Sequence, residues 1–219
     1  MSTQNLSANS ITRNPEADWD WWLSLSPQTK FSLMITCQDS NDENYGALIK
    51  EYGTDVKGIC PVYHNNDLYN DKNGYIRKFL NDAILKIERF SPLQCRFDYM
   101  RMGMILGEKS SFSLDDIDIE SLAYLPNLSY LGLGSFDLKS NLPTGLAKLK
   151  NLSELSLDSF QCREEDIEEN IKILSSIFAE LPNLKILWMG YSVFRSYFQE
   201  NEVALEKFKA LNPNCEVKC

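Results

Sequence analysis

One spacing occurs three times in this chain: Leu128-x-x-Leu131-x-Leu133, Leu152-x-x-Leu155-x-Leu157 and Leu184-x-x-Leu187-x-Met189. Each copy is led in by Leu125-Pro126-Asn127, Leu149-Lys150-Asn151 or Leu181-Pro182-Asn183, so the recurring unit is L-x-N-L-x-x-L-x-L. Alternation of side chains along a strand sends the second and third leucines of each copy to one face. A strand this short cannot bury that face alone, and recurrence after 24 and then 32 residues lets successive copies cover one another by stacking. Such a chain is built around a surface rather than around a catalytic pocket.

From Leu128 to Asn151 the chain reads LSYLGLGSFDLKSNLPTGLAKLKN. This run of strand, crossing loop, L-P step and short outer segment resembles leucine-rich repeat proteins. The resemblance covers roughly the C-terminal half to three-fifths of the chain, since terminal repeats are commonly atypical. It implies an α/β solenoid of about three to five repeats with a curved parallel sheet on the concave face and helices and loops on the convex face. The chain departs from the family at the turn after each strand, where Asn or Cys usually bonds neighbouring loop backbones. Phe136, Phe160 and Ser192 occupy those places. A buried phenylalanine spine is the alternative filling.

At 219 residues the chain suffices for one large domain or a domain with a helical cap. A net charge of -9 opposes binding to a phosphate backbone, which requires clustered Lys and Arg. A basic protein is a more natural partner, although acidity also serves solubility. The N-terminus, MSTQNLSANSITRNPEADWD, has no apolar signal core, and no segment is apolar over the length of a bilayer. A soluble, cytoplasmic protein with no membrane contact is expected, and its compactness points to a bacterial source. Cys37, Cys60, Cys95, Cys162, Cys215 and Cys219 form no disulfide framework or paired C-x-x-C spacing and read as small hydrophobes of a reducing compartment.

Three regions follow: a disordered leader (1–14), a helical N-terminal cap (15–92) and repeats with a C-terminal cap (93–219). Pro15 opens a helix carrying Trp19, Trp21 and Trp22, and Ser26-Pro27 has the form of an N-cap and first turn of a second helix through Phe31, Met34 and Ile35. At least two of the tryptophans are expected to anchor these helices onto the first repeat, the alternative being an exposed partner site. A third helix is expected around Tyr45 to Tyr52. Ile76, Leu80, Ala83, Ile87 and Phe90 step as one face of a helix stopped by Ser91-Pro92. Leu93, Cys95, Phe97 and Tyr99 alternate as a strand, while a degenerate first repeat beginning at Phe97, with Met100 and Met102, is a competing register. Ile167, Ile171, Leu174, Phe178 and Leu181 predict a helix on the outer side of the 32-residue repeat, between the second and third copies, with Glu164, Glu165, Asp166, Glu168 and Glu169 at the start, where the helix dipole favours anions. Cys215, Val217 and Cys219 predict a final edge strand with core-facing cysteines.

Chemistry-bearing patterns are sparse. His64 is the only histidine, and Cys60-x-x-x-His64 supplies two of the four ligands a structural metal needs, so neither a metal site nor a cofactor is expected. Cys215-x-x-x-Cys219 lacks the C-x-x-C spacing of redox pairs. The run Asp115-Asp116-Ile117-Asp118-Ile119-Glu120 lacks the central Gly of a calcium loop and leads instead into an outer segment through Leu122 and Leu125. Gly132-Leu133-Gly134 belongs to a repeat strand rather than to a phosphate loop.

Alternation places Tyr130, Glu154 and Ile186 in one row across the face opposite the leucines, then Gly132, Ser156 and Trp188, then Gly134, Asp158 and Gly190. Tyr130, Glu154, Ser156, Asp158, Ile186 and Trp188 are therefore the candidate binding residues, centred on Trp188. Two arrangements remain: an open face, or one covered by the N-terminal segment or by residues 191–199. The function expected is noncatalytic protein recognition by an adaptor or inhibitor. The alternative is an enzyme with a site in residues 40–110 that uses Cys60, His64 and Cys95.

Overall fold

The computed structural model describes residues 14–26, 29–30, 32–33, 77, 80–81, 87–92, 114–134 and 141–219. It is an α/β arrangement in which five short strands form one parallel sheet: β1 (Arg89–Phe90), β2 (Tyr130–Gly132), β3 (Glu154–Ser156), β4 (Ile186–Trp188) and β5 (Glu216–Lys218). They lie side by side in chain order. The register aligns Phe90, Leu131, Leu155, Leu187 and Val217 as consecutive partners. Leu131, Leu155 and Leu187 are at most 1% exposed, and the residues two places on, Leu133, Leu157 and Met189, are also sealed. The repeated spacing thus produces continuous apolar rows. The backbone ladder runs past each strand: Leu133 N–H donates to Ser156 O, Leu157 N–H to Trp188 O and Met189 N–H to Lys218 O, each at 2.8 Å.

The invariant asparagine of the lead-in has its own ladder. Asn151 Nδ2 donates to Pro126 O and Asn183 Nδ2 to Lys150 O, both at 2.9 Å, so each lead-in turn is fastened to its predecessor. Asn212 extends this to the last strand through Leu181 O at 3.0 Å. At the other end of the strands, Phe160 is buried and stacks on buried Phe194, ring centroids 5.5 Å apart, which is the phenylalanine filling expected in place of Asn or Cys. Ser192 contributes differently: its hydroxyl donates to Met189 O and accepts from Arg195 N–H, capping the helix that follows. Phe136 is outside the described residues.

Helices α1 (Pro15–Ser24), α2 (Ile167–Ala179), α3 (Val193–Glu200) and α4 (Glu202–Ala210) join them, with short 3-10 segments at Leu114–Asp116, Ile119–Tyr124, Thr144–Lys148 and Glu164–Asp166. The face of α2 is rotated from the one expected. Asn170, Leu174, Ile177 and Phe178 are buried, whereas Ile167 and Ile171 are half-buried. Asn170 sits in the core because its Oδ1 accepts the Leu142 N–H at 2.7 Å while its Nδ2 donates to Asp166 O, so a buried backbone donor is satisfied. At the acidic start of α2, Arg163 pairs with Asp166 and Glu165, and Lys172 with Glu169.

Two expectations change. Phe90, read as the last contact of a helix face, lies in β1, where pairing with Leu131 extends the apolar row; the sheet therefore begins before residue 93. Cys219 is exposed rather than core-facing, because β5 ends at Lys218, and only Cys215 turns inward. The leader 1–13, the helix around Tyr45 to Tyr52, and both registers from Leu93 to Met104 lie outside the described residues.

The tryptophans behave as anchors. Trp22 is buried, Trp19 and Trp21 are nearly so, and Trp21 stacks on Tyr124 at 4.8 Å while its Nε1–H donates to Ser121 O. Tyr124 Oη donates to Asp18, and Asp118 accepts the Ser26 N–H while its own N–H donates to Thr29 Oγ1. Ser26 also accepts from Thr29 N–H, as an N-cap should. Lys30 is drawn into this junction, its ammonium donating to Leu25 O at 2.7 Å and Leu23 O at 3.3 Å. Burial lowers the Lys30 pKa from 10.5 to about 8, against the opposing pull of Asp118.

Replacing Leu155 by Ala should cost about 2 to 5 kcal/mol, as for other large-to-small changes in packed interiors. An unmoved urea midpoint would show that the register is wrong. For Lys30, the folded pKa lies below the unfolded one, so stability rises as pH climbs from about 8 to 10.5, where only the unfolded chain still holds the proton. Urea melts across that window should show wild type gaining on Lys30→Met, and a constant difference would contradict the burial.

Candidate functional site

The face of the sheet opposite the leucines carries the predicted rows in the predicted order. Tyr130, Glu154 and Ile186 are direct partners, continued by Arg89 on one side and Glu216 on the other. Gly132, Ser156 and Trp188 form the second row, continued by Lys218. Tyr130, Glu154, Ile186 and Trp188 are half-buried, while Gly132 and Ser156 lie beneath the surface. The helix α3, which the sequence allowed as a cover for Trp188, packs against α2 and α4 and contributes Phe194 and Phe198 to the core.

Sequence reasoning missed the two residues that frame this face. The Arg89 guanidinium carbon lies 3.8 Å from the Tyr130 ring centroid, and the Lys218 ammonium lies 4.2 Å from that of Trp188. Each cation is one strand outside its aromatic, a placement that favours the negative face of the ring. Lys218 also pairs with Glu216 at 3.4 Å. Arg89 was hidden by the helical period assigned around it, and Lys218 by its place on a strand recognised only through its cysteines and Val217.

Asp158 has a structural task as well. Its Oδ1 accepts the Gly190 N–H at 2.6 Å, and its Oδ2 accepts the Ser156 hydroxyl at 3.2 Å. The third row is close-packed for this reason: a Cβ at Gly134 would meet Asp158 O at 2.5 Å, and one at Gly190 would meet Asp158 Oδ1 at 2.9 Å. The next residues along the two turns, Ser159 and Tyr191, both have positive φ, and Tyr191 is 82% exposed beside Arg195. Asp158 therefore bonds neighbouring turn backbone, the task that Asn or Cys has in the resembled family.

The remaining candidates are quickly placed. Cys60, His64 and Cys95 lie outside the described residues. Among the described residues, no group of three or more His, Cys, Asp or Glu is placed to hold a metal ion. The thiol of Cys215 is raised to about 11 by burial, with Glu216 adding to the effect, which suppresses the thiolate. Among the described residues no helix is long and apolar enough to cross a membrane. Comparison with known proteins adds no family: no protein-family model matches the chain. A search of curated proteins likewise finds no match.

Replacing Asp158 by Ala should destabilise the fold by about 1 to 3 kcal/mol, because the Gly190 N–H loses a charged acceptor. Thermal or urea unfolding measures this directly, and an unchanged stability would return Asp158 to the list of free surface groups.

Proposed function

We propose that the chain is a leucine-rich repeat solenoid that recognises a protein partner, without catalysis, through the sheet face bearing Tyr130, Glu154, Ile186 and Trp188. It would act as a cytoplasmic adaptor or inhibitor. The observation that carries this reading is the placement of two large aromatic rings on the face turned away from the core, held on short strands whose backbone is bonded on both sides. Rigid aromatic groups ringed by polar ones are the common layout of binding hot spots. The L-x-N-L-x-x-L-x-L unit and its register support the solenoid.

Arg89 and Lys218 modify the expectation of a basic partner. The face is mixed in charge, so general attraction to a basic protein rests on the net charge of -9 rather than on Glu154 and Asp158 as a pair.

Affinity capture from native lysate with wild type and with Trp188→Ala tests the surface. The variant should lose about 2 kcal/mol or more of affinity for the captured protein, while losing less stability than Leu187→Ala does. If Trp188→Ala unfolds as severely as the leucine change, or leaves binding intact, the site lies elsewhere.

A further inference from the structure

The middle of the proposed face has an aromatic residue on the strand to either side. β3 lies between β2 and β4, and its outward residues are Glu154 and the small, buried Ser156. Tyr130 lies along its own strand over Gly132: a Cβ at Gly132 would come within 2.9 Å of Tyr130 Oη and 3.2 Å of its ring. Glycine at that position lets the ring settle there. Trp188 stands on the other side of Ser156, in direct register with it. Two strand spacings separate β2 from β4, about 9.6 Å. A flat group in contact with a ring on either side occupies about 7 Å. Tyr130 and Trp188 thus stand on the strands to either side of Ser156, with Gly132 and Ser156 buried beneath them.

Charge identifies the occupant. On the strands outside the two aromatics, Arg89 is engaged by Tyr130, and Lys218 by Trp188 and Glu216. Asp158 accepts from Gly190 and Ser156. Among the described residues, the Glu154 carboxylate alone on this face has neither ion pair nor hydrogen bond. It is half-buried, in register with Tyr130 and Ile186 and diagonal to Trp188. A half-buried carboxylate beside aromatic rings favours a cation that is flat and weakly hydrated.

We infer that this part of the face receives an arginine side chain of the protein partner, its guanidinium forked on Glu154 and its plane lying against the Tyr130 and Trp188 rings. Arginine is favoured over lysine because it can stack on a ring and donate two parallel hydrogen bonds to one carboxylate. This inference rests on the proposed binding face and names what that face recognises.

The test is proton–nitrogen NMR titration of the full chain with N-acetyl-arginine amide, following the Trp188 indole N–H and the Ser156 amide. Saturable shifts of both are expected, with binding about fivefold tighter than for the lysine and norleucine amides. Glu154→Gln should abolish that preference at unchanged melting temperature, and Glu216→Gln should retain it. Should Glu154→Gln fail to fold, the comparison of the three amides on wild type decides. Equal binding of the norleucine or lysine amide overturns the inference, as does a better response to N-acetyl-glutamate amide or no shift at the highest soluble probe concentration. If Trp188→Ala still releases the captured partner while the arginine probe fails, the binding face stands and the arginine site falls. If Trp188→Ala leaves partner binding intact, the face itself has been misassigned.

Discussion

The row of Phe90, Leu131, Leu155, Leu187 and Val217 is the contact on which the rest depends. Each strand is two or three residues long, too short to be stable as a separate hairpin or sheet. Its leucine is sealed only because the strands on either side present theirs at the same height. A slip of one residue would turn Leu155 outward and Glu154 or Ser156 inward, so the apolar row and the outward rows are one constraint seen from two sides. The asparagines at 151, 183 and 212 and the Asp158 carboxylate hold that register from the two ends of the strands.

Stacked strands leave an apolar flank at each end, and the two ends are treated differently. On the N-terminal side Trp21, Tyr124, Asp18, Ser26 and Asp118 interlock aromatic stacking with hydrogen bonds, fixing α1 to the segment Ile119–Tyr124. Lys30 is held inside that junction despite the cost of burying an ammonium, its charge met by backbone carbonyls. On the C-terminal side Phe178, Phe198 and Phe208 close the core from α2, α3 and α4, and β5 carries a Glu216–Lys218 pair. Charged residues on a final strand disfavour pairing with another chain.

What could be read in advance follows from how local each determinant is. Leu131, Leu155 and Leu187 repeat at fixed offsets, so their stacking and the outward rows beside them were legible before any coordinates. The N-cap at Ser26 and the helix after Pro15 are likewise decided within a few residues. Phe90 was misplaced because its spacing from Ile87 suits a helix, while its true partner, Leu131, lies far along the chain. Asn170 was invisible as a core residue, since its burial depends on satisfying the Leu142 N–H across the repeat. The turn after each strand lacks the Asn or Cys of the resembled family. Two other devices hold the backbones together instead, the lead-in asparagines and Asp158, and neither position is remarkable in isolation.

The placement of Arg89 and Lys218 also determines what the candidate face can recognise. Counted as a list of residues, the face has cations and carboxylates in near balance and suggests no preference. Counted by what each group already touches, the picture changes: Lys218 shares Glu216 and Trp188, Arg89 lies against Tyr130, and Asp158 is bonded to Gly190. The balance is therefore local rather than uniform, and the charge left for a partner is concentrated at Glu154. Cations behind both rings also withdraw some of their negative face from competition, so attraction of a guanidinium must come chiefly from the carboxylate, with the rings setting its plane. Specificity for arginine then arises from two separable elements, charge supplied by β3 and shape supplied by β2 and β4.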